Sequence, residues 1–244
     1  MEITSGFERQ PPSKLHGYLT VFGGILIHLF CGNLYLWGNI SNYVVTYYHF
    51  LGDSGARLSF AVYILTISFT TQSIFTPLGP YLQKRWNPKL VLLLGASIMN
   101  LAVLGASYCK SWAMFVFLYA FCFPAGIGIV YWVPIMCGWE WFPERKGLIS
   151  GLIVAGYGFG AFIFGFVTTA IANPDNIKPH TPDDGTGDPD KLFPKDVGER
   201  VPEMFRTCLV YWAIFSVISI LTVSRNPDFV RKEKIEQRQK LISD

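Results

Sequence analysis

The sequence predicts an all-α polytopic membrane protein with six transmembrane helices. Six apolar stretches fall at about 16–40, 57–79, 88–109, 111–137, 147–172 and 205–223, each near the roughly 20 residues a helix needs to cross a bilayer. The interiors of these stretches carry almost no ionisable side chains. Inside lipid only helices and closed barrels satisfy their own backbone, and the runs are too long for barrel strands. A lipid bilayer is therefore the first partner implied.

The first stretch is rich in small and polar residues, among them Gly23, Gly24, His28, Gly32, Asn33, Tyr35, Trp37, Gly38 and Asn39. Glycines let another backbone approach, and polar groups in a membrane face protein or a water-filled cavity. This helix is expected to line something. His28 is its one ionisable interior residue. It is read either as a proton or anion site or as a neutral imidazole bonded to a neighbouring helix.

The second stretch is a Thr/Ser-rich helix whose hydroxyls can bond back along the chain, whereas Gln72 needs a partner from elsewhere. The third, beginning Leu90-Val-Leu-Leu-Leu94, is the plainest and is expected to pack outermost. The fourth contains Pro124 and Pro134, which each remove a helical hydrogen bond, with Tyr131 and Trp132 following Gly126 and Gly128. The fifth carries small residues at i, i+4 spacing, Gly147/Gly151/Ala155 and Gly156/Gly160, and is expected to offer a flat helix-packing stripe.

Three segments lie outside the spans: an arm over 1–15, an acidic Pro/Asp-rich loop over 173–204, and a basic tail over 224–244, expected to form a surface helix near anionic headgroups. The arm lacks the features of a secretory signal or transit peptide. The loop is read as a solvated spacer or as a docking element for a partner. Its Asp183–Asp190 stretch is similar to a calcium loop but lacks the glutamate expected at the twelfth position.

Composition agrees with a membrane protein, with 51% hydrophobic, 16% aromatic and 15% charged residues. A net charge of +3 is too small to imply nucleic acid. If the termini share a face, that face collects Arg9, Lys14, Lys84, Arg85, Lys89, Arg145, Lys146 and the tail cations. The positive-inside rule then places both termini in the cytosol, or in the matrix for a mitochondrial inner membrane. The five cysteines fall in or beside spans without a C-x-x-C pair and read as small buried residues. No nucleophile–base pair, metal spacing or phosphate loop is present, so neither an enzyme nor a metal or other cofactor is expected.

The stretch from Trp141-Phe-Pro-Glu-Arg-Lys-Gly147 to Gly156-Tyr-Gly-Phe-Gly160 resembles the junction between the fourth and fifth helices of the major facilitator superfamily. It is most similar to the oxalate/formate antiporter and monocarboxylate transporter branch. Gly32-Asn-Leu-Tyr-Leu-Trp-Gly38, Gly126-Ile-Gly-Ile-Val-Tyr131 and Arg85-Trp-Asn-Pro-Lys89 agree with that branch's first helix, fourth helix and basic loop. The resemblance covers roughly 16–223. It implies the amino-terminal half of a twelve-span fold whose substrate sits between two halves at mid-membrane. The chain departs from the pattern in having no acid between Gly79 and Lys89, and Asn87 where the family has a glycine. In the oxalate/formate branch, the cations expected to hold the carboxylates lie in the second half.

Two functional readings follow. In the first, the chain is a half-transporter for a small carboxylate, working as a homodimer or beside another membrane subunit. Its lining candidates are His28, Asn33, Tyr35, Trp37, Gln72, Tyr131, Trp132 and Tyr157, each of which could equally be packing between helices. In the second, it is a non-transporting accessory subunit of a larger membrane complex, derived from a transporter half.

Overall fold

Each apolar stretch folds as helix in the computed structural model, which describes residues 13–181 and 190–243. Most of the 1–15 arm and all but Asp190 of the calcium-loop-like stretch lie outside the described residues. The helices are α1 (Lys14–Cys31), α2 (Trp37–Phe50), α3 (Leu58–Phe75), α4 (Leu78–Gln83), α5 (Pro88–Tyr108), α6 (Trp112–Val116), α7 (Phe123–Trp141), α8 (Lys146–Ala172), α9 (Lys195–Glu199), α10 (Val201–Thr222) and α11 (Pro227–Ser243). Six spans run Lys14–Leu34, Leu58–Gln83, Pro88–Tyr108, Trp112–Trp141, Pro143–Ala172 and Lys195–Thr222. The fold is an all-α polytopic membrane bundle.

The chain stays helical beyond the first span. After a 3-10 turn at Gly32–Leu34, α2 carries the chain to Phe50 as a polar-faced extension. In the fourth span a π-helical segment, Phe117–Cys122, separates α6 from α7. Pro124 lies in the first turn of α7, directly after this wider π turn, while Pro134 lies further inside the helix.

Two opposite ends can be told apart by their contacts. At the terminal face, Ser224 N donates to Thr20 Oγ1 at 3.2 Å, Trp141 Nε1 donates to Ser224 O at 2.8 Å, and Lys89 Nζ donates to Leu221 O at 2.9 Å. The start of α1, the start of α5 and the ends of α7 and α10 thus meet at one end. At the other end, the loop face, Asp53 accepts from Gly55 N at 3.0 Å and from Trp112 N at 2.8 Å, clamping the α2–α3 turn to the start of α6.

The segment before α10 is anchored at the loop face rather than tethered loosely. Asp190 Oδ2 accepts from Leu58 N (2.8 Å) at the start of α3, Phe193 N donates to Thr46 Oγ1 (3.1 Å), and Asn42 Nδ2 donates to Lys191 O (3.0 Å). Leu192 and Val197 are buried beneath these bonds, and the Tyr43 and Phe193 rings pack at 4.6 Å. The described part of the loop docks on this chain's own α2.

Two packing expectations are revised. The third span is not outermost. Gly95, Ala96, Ala102 and Ala106 bury α5 against α7 and α10, and a Cβ on Gly95 would sit 3.0 Å from Gly126 O. The least covered span is the second, 22% buried, followed by the fifth and sixth at 33% each. The glycine stripe of α8 is split between two faces. Gly156 and Gly160 press on the backbone of α1 at Ile25 and Leu29, whereas Gly147 and Gly151 face open space.

Candidate functional site

Five of the eight lining candidates come together where α1, α3, α7 and α8 converge. Tyr157 on α8 is the hub. Its hydroxyl donates to Gln72 Oε1 on α3 at 3.0 Å, and its ring meets Tyr35 at 5.5 Å, Tyr131 at 5.8 Å and His28 at 6.3 Å. The backbone makes this possible, because Gly32 lies directly against Tyr157 O, where no side chain would fit.

His28 is buried behind the tyrosines. Its Nδ1 is 2.9 Å from Gly24 O, which favours the tautomer with a proton on Nδ1. Nε2 has no protein partner and is sealed from solvent. The Tyr131 ring packs on the imidazole at 5.1 Å. Tyr35 forms the open rim. It is half-exposed, and it also packs on Phe69 at 5.4 Å, a residue the sequence pattern did not single out.

The other three candidates make no contact with the Tyr157 hub. Trp37 is buried with Phe115 and Tyr119, and its Nε1 donates to Ala61 O at 2.8 Å, tying α2 to α3. Asn33 turns back on its own helix, where Nδ2 donates to Leu29 O and Phe30 O at 2.9 and 3.0 Å. It satisfies carbonyls released where α1 passes into the 3-10 turn. Trp132 meets the Tyr131 ring edge-on at 5.7 Å and packs on Trp139 at 6.0 Å, toward the terminal face.

No metal-ligating group of three or more residues occurs among the described residues. The cluster as a whole is neutral: phenols, an amide and an imidazole offer hydrogen bonds and aromatic faces. Such a surface can orient a small polar solute, but desolvating a carboxylate there calls for a positive charge from outside the cluster.

The charged centre that the sequence reading overlooked lies at the terminal face. Glu140, the penultimate residue of α7, accepts from Arg225 Nε at 2.8 Å and lies 2.7 Å from Arg225 Nη2. Arg225 also pairs with Glu233 of α11 at 2.9 Å, and Asn226 N donates to Glu140 Oε2 at 3.2 Å. Burial of the Arg225 guanidinium opposes its charge, but hydrogen bonds to Glu140 and Glu233 and their negative charges outweigh it and hold the pKa above the ordinary arginine value. The available signal was a lone acid between two tryptophans, Trp139-Glu140-Trp141.

No protein-family model matches the chain. Comparison with curated proteins is more telling. The chain is 31% identical to Apicoplast pyruvate carrier 1 of Toxoplasma gondii, over 81% of its own length and 44% of that protein's. The chain is a relative of the MFS-type transporters. It is also 27% identical to the Oxalate:formate antiporter of Oxalobacter formigenes (60% of this chain, 34% of that protein) and 23% identical to Monocarboxylate transporter 13 of Rattus norvegicus (64% and 35%). It spans less than half the length of each of these three MFS relatives. All three are carriers by name, not enzymes.

Proposed function

We propose that the chain supplies one six-helix half of an MFS-type carrier for small organic anions of the monocarboxylate class. In this reading the cluster of His28, Tyr35, Gln72, Tyr131 and Tyr157 faces the passage once a second six-helix unit is seated against α3 and α8. Asn33, Trp37 and Trp132 hold the surrounding helices. The observation that carries the reading is the Tyr157–Gln72 hydrogen bond, a polar contact between the second and fifth spans, which are 22% and 33% buried. The names of the relatives make pyruvate, formate and oxalate the first solutes to try. The second unit, whether further chain, a second copy or another subunit, brings the positive charge the cluster lacks. The cations of the terminal face support placing it toward the cytosol or matrix.

Uptake of labelled pyruvate, formate and oxalate into vesicles from cells making the protein tests this. Saturable uptake that Tyr157→Phe lowers at unchanged protein level supports the reading. Uptake no greater than in control vesicles, with co-purifying subunits retained, sinks it. That outcome would favour the accessory-subunit reading, which has one observation of its own: no Lys, Arg, Asp or Glu of this unit takes part in the cluster among the described contacts.

A further inference from the structure

A cavity of about 660 Å³ opens at the terminal face, between the end of α4, the α7–α8 junction and α11. Its size lies within the range of small-ligand sites. Lys84, Lys146, Arg225 and Lys234 line it together with Glu140 and Glu233, so four cations face two carboxylates. Both carboxylates are engaged by Arg225. Among the described residues, Lys84, Lys146 and Lys234 have no carboxylate within ion-pair distance, and Lys146 Nζ lies over the Trp139 ring, 6.0 Å from its centroid. Three lysines therefore converge on one cavity with a net surplus of two positive charges.

A second, independent observation concerns Gln83. This residue lines the same cavity and is only 5% exposed. Its Nε2 donates to Cys137 Sγ at 3.3 Å, while Oε1 is sealed from solvent with no partner. A buried amide oxygen left bare costs free energy that a hydroxyl donor would recover.

We propose that this cavity binds a phosphate ester of a polyol. The phosphate lies among Lys84, Lys146 and Lys234, and a small turn of the Gln83 side chain on binding brings its Oε1 to accept from a polyol hydroxyl. Lysine ammonium groups suit phosphate as point charges without the fixed fork of arginine. The cavity sits where α7 and α10 end, so either a lipid headgroup or a soluble sugar-type phosphate can reach it. The site is separate from the aromatic cluster and does not depend on the transport reading.

The test uses the purified full chain, stripped of lipid, with thermal stability and native mass spectrometry as readouts. Glycerol 3-phosphate is the soluble probe, phosphatidylglycerol the lipid probe, and glycerol and sulfate the controls. Saturable binding of either phosphate ester, weakened at least tenfold by Lys84→Ala with Lys234→Ala, is the expected result. Lys232→Ala removes a charge from α11 outside the cavity and should change affinity less than twofold. Binding of glycerol 3-phosphate identifies a soluble ligand, and binding of phosphatidylglycerol alone identifies a headgroup. Binding of neither ester, an equal response to sulfate, or an equal loss in Lys232→Ala would overturn the proposal.

Discussion

Arg225 holds Glu140 by two nitrogens, Nε at 2.8 Å and Nη2 at 2.7 Å, and so fastens the end of α10 to the end of α7. The Glu140 side chain is 9% exposed and that of Arg225 25%. Arg225→Ala would leave a mostly buried carboxylate without its counter-charge, at a cost of about 2–3 kcal/mol once the partial exposure is allowed for. Glu140→Gln in the same background should restore part of that loss. A double-mutant cycle on thermal or denaturant unfolding in detergent is expected to give a coupling of about 1–3 kcal/mol, and additive effects would mean that the pair is not formed.

Gly160 and Gly151 sit on the same helix and should respond in opposite ways to alanine. At Gly160 a Cβ would run into Leu29 O of α1, and neither backbone can yield cheaply. Gly160→Ala should therefore lower the yield of folded protein sharply. Gly151 meets nothing within 4 Å, so Gly151→Ala should leave stability unchanged or raise it by about 0.5–1 kcal/mol through helix propensity. If uptake falls in the stable Gly151→Ala protein, its open face is occupied in the working assembly.

Tyr157→Phe removes one hydroxyl and keeps the ring contacts with Tyr35, Tyr131 and His28. The expected stability loss is about 1 kcal/mol, the net value of one hydrogen bond. Uptake should fall several-fold further than the loss of folded protein explains. A parallel decline in both would make the tyrosine a packing residue only.

Trp37→Phe tests the contrary assignment. The substitution leaves Ala61 O without its buried donor and should cost about 1–3 kcal/mol. Per folded molecule, uptake should remain near wild type. A changed solute preference would return Trp37 to the lining.

Asp190 accepts from Leu58 N at the first turn of α3 and helps pin the long loop to the bundle. Asp190→Ala should cost about 1 kcal/mol, as loss of a helix cap does, and should expose the loop to protease. Limited proteolysis of intact and variant protein in membranes would show the difference.

The six spans were legible because a bilayer imposes a length and an apolar content that the chain cannot disguise. Tyr157, Tyr131, Gln72, His28 and Tyr35 were legible as polar residues without an obvious place in lipid, although the pairing of Gln72 with Tyr157 was not, since it joins residues 85 positions apart. Trp37 carries the same signal as Tyr35 two positions away but points to the other side of the 3-10 turn, a rotation no periodicity reveals. The third span misled because its leucines resemble a lipid-facing helix. The alanines and Gly95 between them decide the packing. Glu140 escaped notice because its partner comes from beyond the sixth span.

The contact of Gly32, Gly156 and Gly160 along α1 and α8 has a mechanical consequence. With main chain resting on main chain, no layer of side chains is left to shear, so these two helices should travel as a single stiff lever. Spin labels placed across them should report one fixed distance in every condition. Any working stroke must be sought along the opposite edges of α3 and α8, where the molecule still has room to give.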